Sequence, residues 1–364
     1  MGNINVNLGD RGYPIYIGPD FSGLDKACKS ARLGGRFVVI TDSNVERHYC
    51  QACVEALSLY AKEVSCHTIP AGEENKNLDT VSDIYRKLIS LKLDRNSTLV
   101  ALGGGVTGDI TGFAAATYLR GIPFIQIPTS LLAQADSSIG GKTGVDFEGS
   151  KNMIGAFYQP RFVFINVNTL RTLPDRELKS GLAEVIKHGL IMNAEFYDYI
   201  DNNIDKIYSF DENALQYITK MNCSIKKSVI EQDEREAGIR ALLNFGHTIG
   251  HAVESVSGFR LLHGECVSIG MAGAFRLAHK LGMVSDKSAA RVEGTLKKAG
   301  LPIKTNGMDA DRIMDMMYLD KKVRDGRLYF ILPKEIGEVI SCFVDDTDLI
   351  KQVLIELGQE DQAV

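Results

Sequence analysis

Thr98-Leu99-Val100-Ala101-Leu102-Gly103-Gly104-Gly105-Val106-Thr107-Gly108-Asp109 takes the chain from an apolar run into a glycine turn without a break. A short apolar run ending in glycines reads as a buried strand, and the turn after it opens a helix. There, backbone N–H groups and the positive end of the helix can hold a pyrophosphate, and any Cβ would keep the phosphate away. The pattern departs from G-x-G-x-x-G, so taken alone the turn also fits a purely structural role.

Outward from this strand the same alternation repeats. Arg36 to Asp42 and Glu63 to Ile69 read as strands, and Asn44 to Tyr60 and Asn77 to Leu91 as helices. Ile4, Val6 and Leu8 alternate with polar residues, and Gly9-Asp10-Arg11-Gly12 turns the chain into a return strand over Tyr13 to Ile17. Pro123 to Ile127 and Phe162 to Ile165 extend the sheet, while the Gly-, Ser-, Lys- and Asp-rich stretch between them reads as too polar for a core. Strands alternating with helices predict a parallel sheet covered on both faces. From Pro174 the texture becomes helical, over Arg176 to Asn193, Ala194 to Tyr208, Glu212 to Glu231 and Arg240 to Ser257. The expected organisation is an α/β, Rossmann-like nucleotide-binding domain over 1–173 and an all-α metal-binding domain over 174–364.

With 364 residues, 45% of them apolar, the chain is long enough for two cores. A net charge of -5 argues against a general nucleic-acid or membrane-surface role, yet a few cations in a cleft can still hold an anionic metabolite. No window approaches the roughly 20 apolar residues of a membrane helix, and the N-terminus lacks a leader pattern, so the chain is expected in the cytoplasm. The seven cysteines suit reduced thiols better than a disulfide framework, and Cys50-Gln51-Ala52-Cys53 reads as a pair on a helix surface.

Asn244-Phe245-Gly246-His247-Thr248-Ile249-Gly250-His251 sets two imidazoles one helical turn apart, and His263 follows shortly after. The spacing lacks the inner Glu of H-E-x-x-H, which argues against a zincin protease. A metal here needs three protein ligands with positions left open for substrate. Glu184, among apolar neighbours in Leu182-Ala183-Glu184-Val185-Ile186-Lys187-His188, is the candidate carboxylate, because such a group is costly to bury without a partner. Imidazole and carboxylate donors suit zinc or a similar divalent ion. Lys142, Lys151, Asn152, Lys187, Lys226, Arg240 and Asn244 lie in or beside these polar stretches and together suggest a site for a phosphate and a carboxylate.

Read in order, GGGVTGDITGFAAATYLRGIPFIQIPTSLLAQADSSIGGKTGVD, KNMIGAFYQP, LAEVIKHG, LLNFGHTIGHAVE, HGECVSIGM and DKKVRDG closely resemble the 3-dehydroquinate synthase family. The resemblance implies that family's fold, with NAD and a divalent metal, zinc or cobalt, as cofactors. It implies Glu184, His247 and His263 as metal ligands, freeing His251 to handle protons or contact substrate. NAD would lie across Asp42, Glu73, Lys76, Gly104, Gly105, Val106, Asp109, Thr129, Ser130, Lys142 and Lys151, with Thr169, Leu170, Arg171 and Thr172 near the adenosine end. Substrate would meet Asp136, Lys142, Asn152, Lys187, Lys226, Arg240, Asn244 and His251, and one of Lys321 and Lys322. Arg120 would reach the phosphate in the neighbouring subunit of a homodimer.

The implied substrate is 3-deoxy-D-arabino-heptulosonate 7-phosphate. NAD would take a hydride from carbon 5, the new ketone would acidify carbon 6, and phosphate would leave before the hydride returns. Ring opening and an internal aldol closure would then give 3-dehydroquinate. Related readings are another sugar-phosphate cyclase, such as 2-deoxy-scyllo-inosose synthase, and a metal-dependent alcohol dehydrogenase, which would accumulate NADH. A non-catalytic metabolite-binding protein is a further class.

Overall fold

The computed structural model describes residues 2–236, 238–319, 323–324 and 327–359. The chain divides into two compact units, residues 1–174 with 210–235, and residues 175–209 with 236–364.

The first unit is built on a seven-stranded sheet of β1 (Gly2–Val6), β2 (Tyr13–Gly18), β3 (Arg36–Asp42), β4 (Glu63–Ile69), β5 (Thr98–Gly103), β6 (Phe124–Pro128) and β9 (Val163–Asn166). The spatial order is β1-β2-β9-β6-β5-β3-β4, parallel except for the opening β1–β2 hairpin. Strands covered on both faces need apolar residues at every position, which is why β5 is buried throughout. Successive side chains point to opposite faces. Phe37 and Val39 meet α1 (Leu24–Ser30) and α2 (Gln51–Ser58), while Val38 and Ile40 meet α3 (Leu78–Ser90) and α4 (Gly105–Thr117).

The helix after β3 and the helix after β5 therefore cover opposite faces, although the two strands are neighbours. Such a reversal opens a crevice at the carboxyl ends of the strands, the place where doubly wound sheets bind ligands. Asp42 ends one of these strands and Gly103 the other.

Some sequence expectations are corrected. The stretch before β9 is not excluded from the core: Ala133 to Ala135, Ile139 and Val145 are buried. Its C-terminal part forms the antiparallel hairpin of β7 (Lys142–Phe147) and β8 (Ser150–Phe157), of which β8 is the more exposed. The segment after β3 begins as a π turn over Glu46–Cys50 before α2. The sulfurs of Cys50 and Cys66 face each other, with the Cα atoms 7.7 Å apart, and Cys53 is buried among apolar neighbours. Linear spacing suggested a surface pair because it does not reveal that β4 brings Cys66 beside Cys50.

α7 (Glu212–Gln232) belongs with the first unit, so a single break after Leu173 does not describe the chain. The reason is local: its Asn222 donates to the Ala135 carbonyl and its Glu231 accepts from Asn7.

The second unit contains α5 (Asp175–Met192), α6 (Ala194–Tyr208), α8 (His247–Val256), α9 (His263–Lys280), α10 (Asp286–Lys298), α11 (Ala310–Leu319) and α12 (Thr347–Gly358). It is mainly helical but not all-α: β10 (Val323–Arg324), β11 (Arg327–Glu335) and β12 (Glu338–Phe343) form an antiparallel sheet. The expected helix from Arg240 is also broken. Ile239–Asn244 is a 3-10 segment, Gly246 takes φ 77°, and α8 starts at His247.

Candidate active site

The crevice in the first unit gathers the residues expected around a dinucleotide. The Asp42 carboxylate accepts from the backbone N–H groups of Asn44 and Val45 and, at 3.1 Å, from the Thr107 hydroxyl. That contact ties the end of β3 to the first turn of α4. Gly104 caps α4, and Thr129 after β6 donates its backbone N–H to the Gly103 carbonyl at 2.9 Å. A Cβ built on Gly104 would stand 3.4 Å from the Ser130 hydroxyl, and one on Gly105 would stand 3.1 Å from the Ser137 hydroxyl. The missing side chains leave a cradle between a helix N-terminus and two hydroxyls, which fits the pyrophosphate of NAD.

Lys76 ties α4 to the β7–β8 hairpin. Its buried ammonium lies 2.7 Å from the Asp109 carboxylate and donates to Asn152 Oδ1 at 2.6 Å. Glu73 stands 3.9 Å from Lys76 and 4.0 Å from Lys151. Burial acts to lower the Lys76 pKa, but the charges of Asp109 and Glu73 outweigh it and hold the ammonium above the ordinary lysine value. Asn152, at φ 52°, donates its backbone N–H to Asp146, whose own N–H donates to the Lys76 carbonyl. Thr169, Leu170, Arg171 and Thr172 form a 3-10 segment after β9, held to the π turn by Tyr49, whose hydroxyl reaches the Thr169 carbonyl and the Thr172 hydroxyl.

Of the substrate-directed residues in this unit, Asp136 and Lys226 are brought together, with Nζ 2.6 Å from Oδ1. Lys142 opens β7 with an exposed side chain. Arg120 lies on an exposed 3-10 turn at φ 65° and joins none of these groups. Val106, on the first turn of α4, packs against the apolar cluster beneath.

In the second unit, α5 presents Glu184, fully buried, and α8 and α9 begin at His247 and His263. Close helix packing makes the convergence possible. A Cβ on Gly264 would fall 1.9 Å from the Ser180 carbonyl oxygen, and one on Gly270 would fall 1.8 Å from the Gly246 carbonyl oxygen, so larger residues would drive α5 and α8 off α9. Glu184 Oε1 lies 3.8 Å from His247 Nε2 and 3.2 Å from His263 Nε2. His247 Nδ1 faces the Phe245 carbonyl at 3.0 Å; with Nδ1 protonated there, Nε2 is left as the donor atom.

One carboxylate and two imidazoles with all three donor atoms within 4.8 Å of one another match the chemistry of a divalent-metal site with open positions. Lys187, one turn along α5, is buried and ion-paired with Glu184. Burial acts to lower the His263 pKa, but the hydrogen bond and charge of Glu184, helped by Glu254, raise it above the ordinary histidine value.

His251 shares a second group of converging donors with Glu254 and His263. Glu254 was not singled out from the sequence, although His247, His251 and Glu254 follow an i, i+4, i+7 pattern that marks one helical stripe. Arg240 is buried and the Asn244 amide donates to Glu236 at 3.0 Å. Lys321 and Lys322 lie outside the described residues.

Three comparisons bear on identity. The family descriptions 3-dehydroquinate synthase N-terminal and 3-dehydroquinate synthase C-terminal match residues 66–180 and 181–323. A 3-dehydroquinate synthase of Acetivibrio thermocellus is 62% identical over 360 residues, covering 99% of this chain and 100% of that protein. Among solved structures, a 2-deoxy-scyllo-inosose synthase complexed with carbaglucose-6-phosphate, NAD+ and Co2+ superposes with a TM-score of 0.87 at 28% identity, over 98% of this chain and 100% of the other. A 2-epi-5-epi-valiolone synthase from Streptomyces hygroscopicus with NAD+ and Zn2+ bound gives 0.86 at 29% identity, over 95% and 96%. Matched by both halves of the family description, and nearly two-thirds identical end to end to a protein of that name, the chain belongs to the 3-dehydroquinate synthase family.

Proposed function

We propose that the chain converts 3-deoxy-D-arabino-heptulosonate 7-phosphate into 3-dehydroquinate and inorganic phosphate. The observation that carries this reading is the 62% identity with the Acetivibrio thermocellus 3-dehydroquinate synthase across the full length of both proteins. The glycine cradle and the Glu184, His247 and His263 donors support it, as places for NAD and a divalent ion, zinc or cobalt. When bound, NAD would accept and return a hydride, and the ion would make the reacting hydroxyl more acidic, as zinc does for water.

The residues of the chain would do the rest. In the first unit Lys142 and Lys226 would hold an anionic group of the substrate through charge-assisted hydrogen bonds, with Asn152 fixing orientation, and in the second unit Lys187 and Arg240 would do the same beside Asn244. Asp136 would aim the Lys226 ammonium, and the His251 imidazole would hold or pass a proton at a ring nitrogen. Holding both ends of one flexible substrate favours ring closure by bringing the reacting carbons together. In a homodimer, exposed Arg120 would serve the phosphate bound by the partner subunit. Mixing Arg120→Ala chains with Lys226→Met chains should then raise activity well above the reduced level of either variant alone.

The fold likeness to 2-deoxy-scyllo-inosose synthase favours a second reading, a cyclase for a sugar phosphate without a carboxylate. The test is to supply the metal-loaded protein with catalytic NAD and the heptulosonate phosphate, then follow phosphate release and NADH absorbance together. Stoichiometric phosphate without NADH accumulation is expected. Accumulating NADH would indicate a dehydrogenase, and turnover of glucose 6-phosphate alone would move the assignment to the second reading.

A further inference from the structure

α8 carries more chemistry than the expected ligand set uses. His247, His251 and Glu254 lie at i, i+4 and i+7, so one stripe of the helix holds two imidazoles and a carboxylate. Glu254 is 6% exposed, and a carboxylate removed from water to that extent is costly without hydrogen-bonding partners. Donor atoms of Glu254, His251 and His263 all lie within 4.8 Å of one another. Glu254 does not join Glu184 and His247 in such a group, so it stands beside the three-donor site rather than in it.

The two groups share His263. Its Nε2 faces Glu184 at 3.2 Å, and an imidazole that ligates through one nitrogen presents an N–H at the other. That N–H ordinarily needs an acceptor to fix the ring. His247 has one in the Phe245 carbonyl. A carboxylate oxygen of Glu254 lies within 4.8 Å of a ring nitrogen of both His263 and His251, and it adds a negative charge beside imidazoles that must stay oriented toward metal and substrate.

We infer that Glu254 is a positioning residue, whose carboxylate orients the His263 ring toward the metal and the His251 ring toward the substrate. The inference rests on the metal-dependent reading above, so metal binding is measured apart from turnover. The probe is Co2+, followed by its visible absorption in the full-length apoprotein, with wild type, Glu254→Gln and Glu254→Ala compared. If wild type binds no Co2+, the metal reading itself fails. If wild type binds, Glu254→Ala is expected to weaken Co2+ binding about 10- to 100-fold, in the range of lost outer partners of a ligand. At saturating Co2+ its absorption band should keep the wild-type position, and kcat should still be reduced because the His251 ring is loosened.

Glu254→Gln keeps the shape and an accepting oxygen but loses the charge, so a smaller loss in the same direction is expected. It decides the matter alone should the alanine variant fail to fold. Affinity and kcat within twofold of wild type would overturn the inference. So would a shifted absorption band at saturation, which would make Glu254 a direct ligand.

Discussion

Replacing Gly270 with alanine tests whether helix packing, rather than the identity of the donors alone, makes the metal site. The new Cβ would stand 1.8 Å from the Gly246 carbonyl oxygen and 2.9 Å from the Gly250 nitrogen, both backbone atoms that cannot swing aside. Reaching an ordinary contact of 3.4 Å requires the start of α8 to lift off α9 by about 1.6 Å. His247, next to Gly246, moves with it and leaves Glu184 and His263 behind. Metal–ligand distances tolerate about 0.2 Å, so the displacement exceeds the tolerance several-fold. Co2+ affinity should fall by roughly 100-fold or more, the upper end of what lost outer partners produce.

Overpacking should also cost about 1–3 kcal/mol of stability, or about 2–4 °C in Tm for each kcal/mol. Gly294 on α10 is the control, because a Cβ there meets nothing within 4 Å. Gly294→Ala should keep wild-type metal affinity and gain about 0.5–1 kcal/mol from helix propensity. Co2+ titration with chelator competition, alongside thermal melts, reads both variants. Wild-type affinity and an unchanged Tm in Gly270→Ala would refute the packing argument.

Three further outcomes are expected. Gly104→Ala should leave Tm unchanged, since the new Cβ makes only an ordinary contact with Ser130, while NAD affinity by calorimetry falls roughly ten- to hundredfold, the worth of one hydrogen bond to a charged group. Lys226→Met removes the ammonium 2.6 Å from Asp136 and should lower kcat/KM by a similar factor with NAD affinity retained; full activity would remove Lys226 from the substrate site. Because the apoprotein holds the His263 pKa above the ordinary histidine value, a proton competes with the ion as pH falls through that raised value. Co2+ should therefore bind more weakly at about pH 6 than at about pH 8, and equal affinities would contradict the assignment of His263 as a ligand.

Several parts of the architecture were legible in the sequence because they are local. The apolar run into Gly103–Gly105 predicted a strand, turn and helix, and β5 and α4 form there. Residues Arg36–Asp42 and Glu63–Ile69 are strands over the ranges expected, and Asn77 caps α3 by accepting from the Thr80 backbone. Three histidines in a short window pointed to a metal. The helix expected from Arg240 failed because the backbone leaves the helical region at Phe245, with ψ 131°, and at Gly246, with φ 77°, overriding an apolar pattern that is otherwise continuous.

What the sequence by itself determined, then, is the strand–helix alternation, the glycine turn and the supply of metal-binding side chains, all set by neighbours along the chain. Tertiary structure decided which of these groups meet: Glu184 with His247 and His263, Lys226 with Asp136, Lys76 with Asp109 and Asn152, and Glu254 with His251 and His263. The physical reason is that periodicity tells a residue's face but not its partner. Partners are fixed by how closely helices can approach, and here Gly264 and Gly270 permit a separation that any side chain would forbid.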